Sequence, residues 1–162
     1  LIAVLKGFKM SDTDAMRIVD AINETSNHAA IDFDNITEGL RRVSGTLSQT
    51  GTSLTETIGL LTGGFGQLRN IENVSSGVTF ISQRLRGIDE DGKAIDGLIP
   101  KLQKDFKEIA NIDIEGTNGE LRSTYDILRD MARVFPTLSS QQQQYLGEMA
   151  AGNVALSVAK AA

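Results

Sequence analysis

The stretch Asp34–Gly63, DNITEGLRRVSGTLSQTGTSLTETIGLLTG, decides the fold class. Ile36, Leu40, Val43 and Leu47 recur at three- and four-residue spacing, which puts them on one stripe of an α-helix. The Asp34 carboxylate can accept the unpaired amides of that helix's first turn. The stripe stops at Thr50–Ser53, where Gly51 suits the left-handed conformation of a helix end. Thr52 or Ser53 then starts a second helix with Leu54, Ile58, Leu61 and Phe65 directed inward, and the glycines of Gly63–Gly66 (GGFG) interrupt or end it. Two amphipathic helices joined by a short polar turn read as a helical hairpin.

The same grammar extends in both directions. Upstream, Ser11 and the acidic residues of SDTD open a helix to about Asn27 with Ala15, Ile18, Val19 and Ile22 on one face. Downstream, a helix from about Asn73 to Arg86 carries Val74, Val78, Ile81 and Leu85. Four such helices make a compact bundle. Gly87–Gly97, GIDEDGKAIDG, is acidic, contains three glycines and reads as a linker or exposed turn.

Beyond it, Pro100 fits the first turn of a short helix. Asn111–Ser123, NIDIEGTNGELRS, alternates apolar and polar residues around a TNG turn, which predicts a small β-hairpin leaning on helices. Ser123 caps a helix with Ile127, Leu128, Met131 and Val134 inward, Pro136 breaks it, and Ser139 or Ser140 restarts a helix with Tyr145, Leu146 and Met149 inward. A last segment from Asn153 places Val154, Val158 and Ala159 on one side. The expected fold is mainly α, a multi-helix bundle with one short β-hairpin, built as one body or as two helical subdomains. The boundaries are residues 1–87 for an N-terminal bundle, 88–97 for a linker, and 98–162 for the hairpin and C-terminal helices.

Composition agrees with helix packing. Of the 162 residues 40% are apolar and only 5% aromatic, so the core must be built of Leu, Ile, Val and Ala. The net charge of −5 is made of interleaved acids and bases, with no dense Lys/Arg stripe to neutralise phosphates, which disfavours nucleic-acid binding. The chain has no cysteine, which excludes disulfides and thiolate metal sites and leaves the compartment open. No apolar run approaches the roughly 20 residues a membrane-spanning helix needs. The start at Leu1, with no initiator Met, suggests a fragment of a longer protein.

Candidate chemistry is sparse. His28 is the only histidine, with Asp32 and Asp34 nearby in sequence; a polar residue favoured at a helix C-terminus explains it more simply than a base or a metal ligand. Gly63–Gly66 lacks the Lys-Ser/Thr ending and the preceding strand of a phosphate loop. Asp89–Gly92, DEDG, lacks the alternating ligands and terminal Glu of a calcium loop, and reads as a solvated turn. Asp113 and Glu115 would share one face of the hairpin, as paired acid/base carboxylates do, but nothing places a pocket around them. No GxSxG elbow occurs, and one histidine makes a triad improbable. Asn23, Asn35 and Asn73 begin glycosylation sequons, which matter only in a secreted eukaryotic chain. The reading is therefore no enzyme, no cofactor and no catalytic, cofactor-binding or metal residue.

The order of these caps and turns carries a resemblance. DAINETSN (Asp20–Asn27), ITEGLRRV (Ile36–Val43) and QTGTSLTETIGLL (Gln49–Leu61), followed by GVTFISQRLRG (Gly77–Gly87) and by the segment from Gly119 through SSQQQQYLGEMAAGN, resemble the core region of tail tape measure proteins of long-tailed bacteriophages and their prophages. The likeness runs from about Ser11 to Ala159; Gly87–Gly97 departs from the family's pattern. The resemblance implies a virion structural protein that sets tail length and takes part in tail assembly and genome delivery. It implies tail tube, baseplate and tail assembly chaperone proteins as partners, with a homo-oligomer also open, and a location in the virion tail after assembly in the bacterial host cytoplasm. No catalytic residue comes with it. A continuous helix of this length would reach roughly 240 Å at about 1.5 Å per residue, whereas these turns fold the chain back on itself, so the segment is expected to be a compact module and not the extended ruler. The alternative on the residues alone is a generic bacterial helical interaction module unrelated to phage.

Overall fold

The computed structural model describes the backbone of residues 2–161 and the side chains of residues 2–150. Among the described residues the chain forms eight α-helices: α1 (Ile2–Gly7), α2 (Ala15–His28), α3 (Phe33–Gln49), α4 (Leu54–Leu68), α5 (Ile71–Leu85), α6 (Leu98–Ala110), α7 (Thr124–Val134) and α8 (Ser140–Ala161). Short 3-10 turns at Asp12–Asp14 and Phe135–Thr137 precede α2 and follow α7.

Local chemistry sets the helix limits. The Ser53 hydroxyl accepts the Glu56 amide at 3.1 Å while the Glu56 carboxylate accepts the Ser53 amide at 3.0 Å, a reciprocal pair that starts α4. Ser139 and Gln142 form the same pair ahead of α8, and Ser123 caps α7. Two starts move from the expected positions. α3 is capped by Asp32, whose Oδ1 accepts the Asn35 amide at 2.8 Å, and not by Asp34. α5 begins at Ile71 because Asn70 Oδ1 accepts the Asn73 amide at 2.9 Å.

The expected break at Gly63–Gly66 does not occur: α4 runs through it and ends at Arg69, a left-handed residue with φ 54°. Glycine serves close packing here. A Cβ on buried Gly64 would lie 2.7 Å from Val74 Cγ1, so α4 and α5 can meet at this depth only if position 64 has no side chain. Gly39 does the same for α3, where a Cβ would meet Ile71 Cδ1 at 2.9 Å.

Helix α5 is the hub, packed against α3, α4 and α8, while α1 lies on α3. Its Val74, Val78, Ile81 and Leu85 are buried, as are Ile36, Leu40, Val43 and Leu47 of α3 and Ile58 and Leu61 of α4. Helix α8 returns across the sequence interval 88–97 to pack on α4 and α5. A single apolar cluster takes in side chains from Val4 to Ala150, with Leu102 and Phe106 of α6 and Ile127, Leu128 and Met131 of α7 inside it. The side chains of Val154, Val158 and Ala159 lie outside the described residues.

The expected hairpin is not a sheet. Residues 112–115 do alternate, with Ile112 and Ile114 buried and Asp113 and Glu115 exposed, but pairing is limited to one isolated bridge, Glu115 with Leu121. Both ends of the segment are committed to helices: the Ile112 amide donates to Phe106 O at the end of α6, and Ser123 caps α7. What remains between them is a turn, held by Gly116 N to Glu120 O and Arg122 N to Ile114 O, each 2.8 Å. A pair of segments this short cannot propagate a ladder. Gly87–Gly97 closes the same way: Ile88 bridges Ala94, and Asp89 Oδ1 accepts the amides of Asp91 and Lys93 at 2.9 Å each.

Candidate interaction surface

The residues that could have carried chemistry are separated by the fold. His28 is the last residue of α2, exposed, with Nε2 3.3 Å from Glu24 Oε1 one helical turn back. The Asp32 carboxylate is engaged in capping α3, and Asp34 is exposed on its first turn. Gly63–Gly66 lies inside a helix, with no loop to cradle an anion. Asp89 turns its carboxylate onto its own loop's amides. Asp113 pairs with Lys107 at 3.0 Å, and Glu115 is exposed beside it. Among the described residues no three His, Asp or Glu side chains are grouped so as to hold a metal ion. No described helix is long and apolar enough to cross a membrane.

The polar side chains instead tie helices together. Glu38 accepts from Arg41 at 2.6 and 3.0 Å and from Arg42 at 2.7 Å, and Arg42 reaches on to Glu72 of α5 at 3.3 Å. The hydrogen bonds from Arg41 and Arg42 hold the Glu38 carboxyl down at about 2. Arg84 of α5 donates through Nε and Nη2 to the Met149 carbonyl of α8, at 3.1 and 3.0 Å. Arg122, partly buried, donates from Nη1 to Asp113 O and to Asp130 Oδ2, both at 2.8 Å, and so pins α7 to the turn before it. Gln143 Nε2 donates to Phe135 O at 2.6 Å, which fixes the angle between α7 and α8. The Glu38 pairs sit at i,i+3 and i,i+4 spacing and could have been read from the sequence. The Arg84 tie joins residues far apart in the chain, and the Arg122 ties span more than two helical turns across a change of element, so neither follows a helical spacing.

Tyr145 corrects an expected inward residue. The residue is 39% exposed, and its hydroxyl donates to Asp105 Oδ2 of α6 at 2.6 Å, which pushes the phenol pKa up. Ile2 and Met16, on α1 and α2, are the most exposed large apolar side chains described, at 69% and 67%.

An all-α bundle with a mixed-charge surface and its polar groups bound up in caps and interhelix ties is the class these observations define. The chain belongs to the family of phage-related minor tail proteins, whose model matches residues 1–152. That membership places it among the proteins of the bacteriophage tail and sets aside the reading as a helical module unrelated to phage. No solved structure matches the chain.

Proposed function

We propose that this chain is a compact helical module of a tail tape measure protein, which sets tail length and takes part in tail assembly and genome delivery. The observation that carries the reading is the family match over residues 1–152, joined to the order of helix caps that resembles the tape measure core. Its longest described helix, Ser140–Ala161, has 22 residues and spans only about 33 Å at about 1.5 Å per residue. A body folded in this way suits a docking module carried by the tape better than the ruler itself. The module acts by protein contacts, with the tail tube, baseplate and tail assembly chaperone proteins and with copies of itself as partners, and catalyses nothing. It is assembled in the host cytoplasm and ends in the virion tail.

Cross-linking mass spectrometry of purified virions tests this. Lys101, Lys104 and Lys107 of α6 are exposed and should cross-link to tube or baseplate subunits. Virions that contain no peptide of this chain would overturn the reading, as would peptidoglycan cleavage by the purified chain that disappears in His28→Ala.

A further inference from the structure

Asn118 is the one asparagine of this chain that precedes a glycine. The pair lies at the tip of the turn between α6 and α7, with both residues exposed. Glycine at 119 has no side chain to hinder attack on the neighbouring amide, and its φ of 81° belongs to a turn that a single bridge closes. Asn118 Oδ1 accepts the Glu120 amide at 3.1 Å, and Asn118 Nδ2 donates to Glu120 Oε2 at 3.3 Å. A backbone N–H aimed at a carbonyl oxygen stabilises the negative charge that grows there when a nucleophile adds to the carbon.

We propose that Asn118 is a site of spontaneous deamidation, with solvent water as the only co-reactant, and that its conversion loosens the anchor of α7. The Gly119 nitrogen, released from its 3.1 Å hydrogen bond to Gly116 O, attacks Asn118 Cγ. The new C–N bond closes a five-membered succinimide, the Cγ–Nδ2 bond breaks, and the proton lost by Gly119 leaves with ammonia. Water then opens the ring. Cleavage at Cγ returns the ordinary backbone with aspartate at 118; cleavage at the main-chain carbonyl gives isoaspartate, whose backbone runs through the side chain and is one methylene longer.

Aspartate replaces the Nδ2 donor with a carboxylate facing Glu120, so an attraction becomes a like-charge repulsion; isoaspartate loses the same donor and adds a free α-carboxylate to the turn. Isoaspartate also lengthens the turn between Gly116 and Glu120, whose 2.8 Å hydrogen bond closes it. Arg122 lies two residues after Glu120, and its guanidinium holds Asp113 O and Asp130. The change is one-way, because nothing in the chain restores the amide.

The test incubates the purified chain for weeks in mildly alkaline buffer at body temperature, beside Asn118→Gln and Gly119→Ala. It follows peptide masses, isoaspartate by enzymatic methylation, and amide hydrogen exchange. The mass gain of an amide-to-acid conversion should be confined to the peptide holding residue 118, be absent in Asn118→Gln, and be slower by an order of magnitude in Gly119→Ala. Exchange at the Arg122 amide should quicken in the aged chain and stay constant in aged Asn118→Gln. A folded chain that keeps Asn118 intact while the same chain in urea loses it would overturn the proposal, as would conversion spread evenly over the other asparagines. Unchanged exchange at Arg122 after full conversion would overturn the coupling to α7.

Discussion

Gly64→Ala tests whether the glycines of α4 are there for packing or are accidents of a tolerant helix. Alanine in place of an interior helical glycine gains roughly 1 kcal/mol of backbone propensity. At Gly59 a Cβ would meet nothing within 4 Å, so Gly59→Ala should return that gain nearly whole. At Gly64 the new Cβ would lie 2.7 Å from Val74 Cγ1, and a β-branched side chain in a helix has essentially one rotamer and cannot swing aside. Overpacking of this kind costs about 1–3 kcal/mol, so the two variants should differ by that amount, with Gly59→Ala the more stable. Thermal unfolding reads this as a separation of roughly 2–4 °C for each kcal/mol in a chain of this size. In a Val74→Ala background Cγ1 is gone and the difference should collapse, a coupling that a double-mutant cycle isolates. Equal stabilisation by the two substitutions in the wild-type background would refute the close approach of α4 and α5.

Leu40→Ala and Leu128→Ala, each at a fully buried position, should lose about 2–5 kcal/mol in chemical denaturation; a change within about 0.5 kcal/mol would mean the assigned face is exposed. In Tyr125→Phe the remaining phenol should titrate above the ordinary value of 10.0, and Asp105→Asn should bring it down. Because the folded value is raised, the stabilisation from this hydrogen bond is whole below the unfolded pKa and is lost as pH rises through the folded one. Ultraviolet titration checks both, and an Asp105→Asn phenol that does not move would contradict the contact. Limited proteolysis should nick first between Ile88 and Gly97, with the two pieces eluting together because α8 packs on α4 and α5; early cleavage within α3 or α4 would count against it.

Helix positions were legible where the deciding chemistry is local. The cap at Thr52 or Ser53, which the structure resolves to Ser53 paired with Glu56, Ser123, Pro136 and the stripe Ile36, Leu40, Val43 and Leu47 all act within one or two turns. The choice between Asp32 and Asp34 was not legible, since both carboxylates fit a first turn and only the backbone path decides. Gly63–Gly66 misled because glycine's cost in a helix is visible in sequence, while the benefit at Gly64 comes from Val74 on another helix. Ile112 and Ile114 misled in a related way. Alternation reports which side is buried and says nothing about a pairing partner, and here the burial is against helices. The ties made by Arg84 and Tyr145 are long-range and those of Arg122 cross from a turn into a helix, so the polar framework of the surface emerges only once the chain is folded. That the chain is a phage tail protein was legible through resemblance, and the family match agrees; no constellation of reactive groups pointed to it.

Deleting the codons for residues 11–159 in frame from the phage gene that encodes this chain, and imaging the resulting particles by electron microscopy beside an infectivity assay, addresses the tail role most directly. The account predicts absent or deformed tails and no plaques, with expression of the shortened gene product confirmed by immunoblot. Normal infectious tails assembled without this segment would contradict it.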